Sequence, residues 1–272
     1  MPEMPEVETV VRELVKSGLT GLELVGMKVL WPGIVRGESA QTLTDRLVGQ
    51  RLIKIGRAGK HILLYFSQDL VSVHLRMTGQ FGFSDPEAVV SPHEHVLMDF
   101  SDGRQLRYKD TRKFGRFTRL NSPQELKLGP EAWDRDLDSA YLKKIFCNSK
   151  RAIKTMLLDQ SQISGLGNIY VDESLFYAGI HPQRIAASLS SRELDLLLAS
   201  MQKALLIGLS NLGTTLGTGE ANFYSVNGRA GRNQNSLQVF RRTGLPCPKC
   251  SAPISRIMVA QRSTHFCGVC QQ

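Results

Sequence analysis

The spacing of apolar positions changes along the chain, and the change divides it. Val7, Val10, Val11, Leu14 and Val15 fall at i, i+3, i+4, i+7 and i+8, which places them on one stripe of an α-helix. A helix is therefore predicted almost from the first residue. Pro5 suits its first turn, where the missing N–H would have had no partner. Past the glycines at 18 and 21 the period shortens to that of strands, predicted over 23–30, 50–55, 61–66, 70–77, 95–100 and 105–108. Asp102-Gly103 between the last two is a hairpin signal, because both residues tolerate the left-handed backbone of a two-residue turn. So many short strands in succession predict a β-sandwich or barrel. Residues 128–138 read as a linker, and helical patterns follow over 140–148, 150–159, 168–178 and 191–209. Ser190 with Glu193 forms a capping box for the last of these. Residues 213–231 are rich in Gly, Thr and Asn, as in a mobile loop. The fold class is α+β.

Composition narrows the class. With 272 residues, 42% apolar and 22% charged, the chain can bury a substantial core. That excludes a disordered tail, a collagen-like repeat and a disulfide-stapled miniprotein. The most apolar run, 194–209, is broken by Gln202 and Lys203, so no membrane span is expected. Met1-Pro2-Glu3-Met4-Pro5-Glu6 lacks the basic and apolar regions of a secretory signal, and a cytoplasmic location is expected.

The net charge of +9 is clustered. Residues 221–272 hold seven cations and no carboxylate; 104–119 hold seven cations against Asp110; 46–60 hold five with no carboxylate. Three such runs point to a polyanion-binding surface. No basic amphipathic helix or lipidation signal accompanies them, which favours nucleic acid over a membrane.

The last segment, 238–272, is too short to bury a core of its own and needs a staple. Cys247-x-x-Cys250 and Cys267-x-x-Cys270, sixteen residues apart, have the spacing of a four-thiolate zinc site with a β-hairpin between the pairs. Disulfides and an iron–sulfur cluster are the alternatives. A reduced compartment weakens the first and the paired spacing favours zinc over the second. One structural Zn2+ is expected, with no open coordination position for catalysis. Cys147, between Phe146 and Asn148 on a predicted helix, is expected to be buried.

Six blocks then carry a resemblance. Pro2-Glu3-Met4-Pro5-Glu6-Val7-Glu8-Thr9 resembles the start of bacterial formamidopyrimidine-DNA glycosylases. The likeness continues in Gly59-Lys60, in His74-Leu75-Arg76-Met77-Thr78-Gly79 and in Asp110-Thr111-Arg112-Lys113-Phe114-Gly115. It runs on from Leu158-Asp159-Gln160 through Gly165-Leu166-Gly167-Asn168 to Asp172-Glu173 and Gly179-Ile180-His181-Pro182, and closes with Gln261-Arg262-Ser263-Thr264-His265-Phe266-Cys267. Blocks in this order across the whole chain are far more specific than any one of them.

The resemblance implies an N-terminal helix with a β-sandwich over 1–134, a helix–two-turns–helix region with a lesion-capping loop over 135–236, and a zinc-finger β-hairpin over 237–272. It implies a monomer that acts on double-stranded DNA, excises oxidised purines and cuts the strand at the abasic site. Pro2, exposed by loss of Met1, is then the nucleophile, and Glu3 the general acid on the sugar ring oxygen. Glu6 is expected to cap or orient the first helical turn. Lys60 is a candidate for phosphate contact or proton transfer. Met77, Arg112 and Phe114 would fill the gap left by an everted base. His93, Lys154 and Asn168 would contact DNA, Asn168 with the amides of a helix start, and Arg262 would grip a phosphate from the hairpin tip. An oxidised-pyrimidine glycosylase and a non-catalytic DNA-binding relative are the alternatives. Asp110-Thr111 replaces the family's Asp-Pro, Arg241-Arg242 a Gly-Arg, and no base-reading atoms are assigned in 216–235.

Overall fold

The computed structural model describes residues 1–134, 137–217, 219 and 222–272. Two residues of the expected linker, Arg135 and Asp136, and three of the expected loop, Thr218, Glu220 and Ala221, lie outside the described residues. The chain forms two compact units, one of Met1–Leu126 with Asn211–Gln234, the other of Lys127–Ser210 with Asn235–Gln272. Residues 211–234, which the sequence joins to the helical region, thus pack with the first unit.

In the first unit, helix α1 (Met4–Lys16) precedes two sheets. One has β1 (Leu24–Val29), β7 (Glu94–Phe100), β8 (Gln105–Asp110) and β6 (Gly79–Ser84) in that order. The other orders β2 (Val35–Arg36), β9 (Arg116–Leu120), β5 (Leu70–His74), β4 (His61–Phe66) and β3 (Leu52–Ala58), with β2 parallel to β9 and the remaining pairs antiparallel. Alternation decides what each face buries. Ile62 and Leu64 turn inward to a core shared with Val96, Met98, Leu106 and Tyr108, while Leu63 joins Leu70 and Leu120 on the opposite face. Val7, Val10, Val11 and Leu14 of α1 join the shared core; Val15, assigned to the same stripe, is instead 47% exposed. The expected hairpin at Asp102-Gly103 joins β7 to β8. Helix α2 (Ala40–Leu47) and strands β2, β6 and β9 have no counterpart among the expected elements. α2 buries only Leu43 and Leu47, too short a period to stand out.

The second unit contains α3 (Ser139–Phe146), α4 (Ile153–Leu157), α5 (Asn168–Ala178), α6 (Ser191–Ser210) and the hairpin β10 (Ser255–Val259) and β11 (Arg262–Phe266). α5 has the expected bounds and ends where Gly179 turns left-handed at φ 73°. α6 starts on its capping box, with Ser190 N–H on Glu193 at 2.8 Å and Glu193 N–H on the Ser190 hydroxyl at 3.3 Å. Gly208 lets α6 approach the Tyr170 ring of α5 closer than a Cβ would allow. The helix expected over 150–159 shrinks to α4. Asp159 leaves it because its carboxylate takes the Ser161 N–H and hydroxyl in a local turn. Cys147 is exposed, not buried: α3 ends one residue earlier and the thiol turns back onto the Lys144 carbonyl. Among the described residues no helix is long and apolar enough to cross a membrane.

Candidate active site

Pro2 and Glu3 are buried at the head of α1, behind an exposed Met1. Glu3 is the N-cap residue, and its carboxylate and that of Glu6 each take the other's backbone N–H. Glu6 accepts the Glu3 N–H at 2.8 Å through Oε2 and the Thr214 N–H at 2.7 Å through Oε1. The expected cap is therefore also a tether for the returning segment.

Lys60 is buried in the β3–β4 turn, next to Gly59, whose φ of 55° is left-handed. A relay fixes this turn to α1: Glu8 accepts from Arg57 at 2.8 Å, and Arg57 donates to the Gly59 carbonyl at 2.9 Å. Beside Lys60, the His61 and His74 rings meet edge to face at 4.6 Å. Burial first, then the charges of Arg76 and Lys60, pushes His61 down to about 4. Burial, His61 and the same cations push His74 down to about 2. Both imidazoles are neutral at neutral pH, so they add no positive charge beneath the lysine.

Met77, on the loop between β5 and β6, meets Arg112 and Phe114 on the loop between β8 and β9. Arg112 Nη1 is 3.0 Å from the Met77 sulfur, and its guanidinium is 4.8 Å from the centre of the Phe114 ring. Met77 and Phe114 are 41% and 42% exposed, which removes core packing as the reason for their presence. Each is next to a residue with left-handed backbone, Arg76 at φ 55° and Lys113 at φ 58°. Such non-glycine conformations cost about 1–2 kcal/mol each and persist only where the surroundings impose them. Asp110 fastens the two loops to each other. Fully buried, it accepts the Thr78 hydroxyl, the Arg112 N–H at 3.2 Å and the Gly115 N–H at 2.6 Å. Gly79 and Gly115 close the two loops over Tyr108, whose hydroxyl would overlap a Cβ at either position. Half-buried His93 lends its backbone carbonyl to the Asp110 N–H at 2.8 Å. Asp110→Ala should thus lower unfolding stability by about 3 kcal/mol in chemical denaturation, because it strands buried donors that lose a charged acceptor. An unchanged midpoint and slope would refute that role.

In the second unit, Asn168 opens α5 and its Nδ2 donates to the Ser263 carbonyl at 2.8 Å. Lys154 is held inside the unit. Its side chain has no exposed surface, and its ammonium lies 2.6 Å from Asp172 and 3.1 Å from the same Ser263 carbonyl. Asp172 also accepts the His265 N–H at 2.9 Å. Lys154 therefore locks β11 to the helices. Arg262, at the start of β11, is exposed beside a tip in which Ala260 and Gln261 are left-handed at φ 48° and 57°.

The four finger sulfurs lie within 4.8 Å of one another. Cys250–Cys267 at 3.5 Å and Cys247–Cys270 at 3.9 Å are far beyond a disulfide bond and match the edge of about 3.8 Å of a tetrahedral zinc tetrathiolate. This all-thiolate set fits one structural zinc.

Asp172, His265, Glu8 and Arg57 were not singled out from the sequence for any role. Their signal is pairing across long sequence separation, which a single chain does not display.

Family models match in the same order. They are the formamidopyrimidine-DNA glycosylase N-terminal domain over residues 1–117, the formamidopyrimidine-DNA glycosylase H2TH domain over 128–219, and the zinc finger found in FPG and IleRS over 244–272. The formamidopyrimidine-DNA glycosylase of Protochlamydia amoebophila is 39% identical over all of both chains. That of Desulforamulus reducens is 40% identical over all of this chain and 99% of its own. Among solved structures, Lactococcus lactis relatives in complex with Fapy-dG DNA and with abasic-site DNA each superpose with a TM-score of 0.91 at 37% identity, covering 100% of both chains. Fold, zinc site, gathered loop residues and these full-length likenesses agree: the chain belongs to the formamidopyrimidine-DNA glycosylase family.

Proposed function

We propose that this chain excises oxidised purines, 8-oxoguanine and formamidopyrimidines, from double-stranded DNA and then cleaves the strand by β,δ-elimination. The observation that carries the reading is the gathered Met77–Arg112–Phe114 set on the unit that also holds Pro2, Glu3 and Lys60. Turning a base out of the stack costs a few kcal/mol and leaves a gap. A thioether, a planar donor and an aromatic ring held together are fit to fill it. Arg112 has the donors to pair with the widowed base.

Loss of Met1 makes Pro2 a secondary amine, and α-amino groups have an ordinary pKa of roughly 7.7–8.0, so part is neutral near pH 7. Its lone pair forms a bond to C1′ while the glycosidic bond breaks and the base leaves. The nitrogen then loses its proton, which balances the one the departing base takes up. Glu3 donates a proton to O4′ as the C1′–O4′ bond opens, giving an iminium ion on Pro2. The iminium acidifies C2′; loss of that proton expels the 3′-phosphate, and a further elimination expels the 5′-phosphate. Lys60, beside neutral histidines, serves phosphate contact or proton transfer. Asn168 and Arg262 grip the backbone, His93 shapes the Asp110 loop, and Lys154 positions β11. Functionally the chain divides into 1–134, 135–236 and 237–272, and acts as a cytoplasmic monomer.

Duplexes carrying one 8-oxoguanine, one formamidopyrimidine or one thymine glycol test the reading under single-turnover conditions. The purine lesions should be released faster by about tenfold or more, on the order of one well-placed discriminating contact. Preference for thymine glycol would make the chain a pyrimidine-directed relative. Binding without release of any base would make it a DNA-binding protein.

A further inference from the structure

Glu8 stands on the side of α1 that lies against β3, one turn before Arg12. One carboxylate oxygen takes the Arg57 Nε at 2.8 Å and the other takes the Arg12 Nε at 2.8 Å. The side chains of Glu8 and Arg57 are only 14% and 6% exposed. Burial pushes the Glu8 carboxyl up, but the bonds from Arg57 and Arg12 outweigh it and hold it below the usual range. The ion pair is therefore intact at neutral pH. A buried pair of charges adds little net stability over apolar packing of the same volume, because both ions give up their water. Stability alone does not account for it; the other end of Arg57 does.

Arg57 Nη1 donates to the Gly59 carbonyl at 2.9 Å. Ala58 pairs with His61, so Gly59 and Lys60 are the two central residues of the β3–β4 hairpin turn. Gly59 has φ 55° while Lys60 does not turn left-handed, the signature of a type II′ turn with glycine in its first central position. The carbonyl that Arg57 holds belongs to the central peptide, the unit whose rotation interconverts the II′ and I′ forms. In the I′ form Lys60 itself would need a left-handed φ, and its side chain would leave the turn in another direction. Arg57 holds the peptide in the II′ form. Through this bond, α1 sets the direction in which the Lys60 side chain departs.

We propose that Glu8 and Arg57 are positioning residues for Lys60: they fasten the central peptide of its turn to the helix whose first residues follow Pro2, and so keep the lysine in register with the sugar that Pro2 attacks. The proposal rests on the glycosylase reading and on the part of Lys60 in it, phosphate contact or proton transfer. Neither positioning residue acts on the substrate, and their effect passes wholly through Lys60. Arg57 suits the task because one planar group reaches Glu8 with Nε and Gly59 with Nη1. A lysine there keeps the charge beside Glu8 and lacks the fork.

The test uses the full-length protein beginning at Pro2, with Glu8→Gln, Arg57→Lys and Lys60→Ala made singly, and each of the first two combined with the third. Single-turnover release of 8-oxoguanine at saturating enzyme should fall about tenfold in Glu8→Gln and in Arg57→Lys. In the Lys60→Ala background neither should slow release by more than about twofold further, because residues acting as one unit are non-additive. Melting temperatures should shift equally in the two backgrounds, so a merely structural role would slow release equally in both. Arg57→Lys retains the buried charge opposite Glu8 and carries the test if Glu8→Gln does not fold. Equal slowing with and without Lys60 would overturn the proposal, as would unimpaired release in both single variants. Full-rate release by Lys60→Ala alone would also overturn it, by removing the lysine from the reaction. An unsubstituted protein that releases no base would overturn the glycosylase reading and this one together, a result told apart from the others by that control alone.

Discussion

A chain that retains residues ahead of Pro2 should form no borohydride-stable adduct with abasic DNA, while the chain beginning at Pro2 should be captured nearly completely. Extension turns the ring nitrogen into a tertiary amide with no lone pair available and no N–H to lose. The loss expected is the whole of covalent catalysis, on the order of 10³-fold or more in strand cleavage. Geometry sharpens the expectation. Pro2 is buried against the start of α1 and Glu3 is held as its N-cap, so no other amine is carried to that position by the same helix. Lys60 is the competitor, being buried on a turn tied to α1 through Arg57 and Glu8. Mass analysis of the reduced adduct separates the two: a peptide from residue 2 supports Pro2, and one containing Lys60 refutes it.

Replacement of Cys267 by Ser should release the zinc and reduce duplex affinity by about 10²-fold or more. Structural zinc supplies roughly 10–16 kcal/mol to small modules at neutral pH, and nothing else in this segment approaches that. Cys267 is fully buried, and among the described residues the other buried members of its small cluster are Phe176, Val239, Cys247 and Ile254. Without the metal, β10 and β11 lose the tie at the end opposite the Arg262 tip. The released metal is counted with a chromogenic chelator, and affinity is read by fluorescence anisotropy on a lesion duplex. Full affinity after stoichiometric release would show that the hairpin stands unaided and that Arg262 contributes little.

The two-period pattern carried far, and its failures have a common physical cause. α5 and the Asp102-Gly103 hairpin were legible because their signals are local: a Gly-x-Gly before Asn168 with Gly179 after the helix, and a turn dipeptide between strands. β9 was not, since Arg116–Leu120 lies in a cationic run and is a strand by virtue of partners at β5 and β2. β6 begins with a glycine and carries a second at Gly82, which weakens any local preference for a strand. The zinc cysteines were legible because metal geometry dictates their spacing. The Lys154 pairing was not legible, for the opposite reason. A lysine in a basic chain invites a phosphate, and only the fold reveals Asp172 beside it. Arg112 and its neighbours came from family resemblance; Asp110, which keeps both loops in register, is identifiable only from the bonds it accepts.

The route of the chain through the first unit has a consequence for biosynthesis. Phe223 and Val226 complete the sandwich core, yet they follow the first 126 residues by a long excursion through the helices of the other unit. At translation rates of about 5–20 residues per second, the nascent sandwich waits on the order of 5–20 s before its last apolar side chains leave the ribosome. During that interval an uncovered patch faces the cell. Chaperone demand should therefore peak in mid-synthesis, and premature termination before Gln234 should yield an aggregating fragment in place of a functional half.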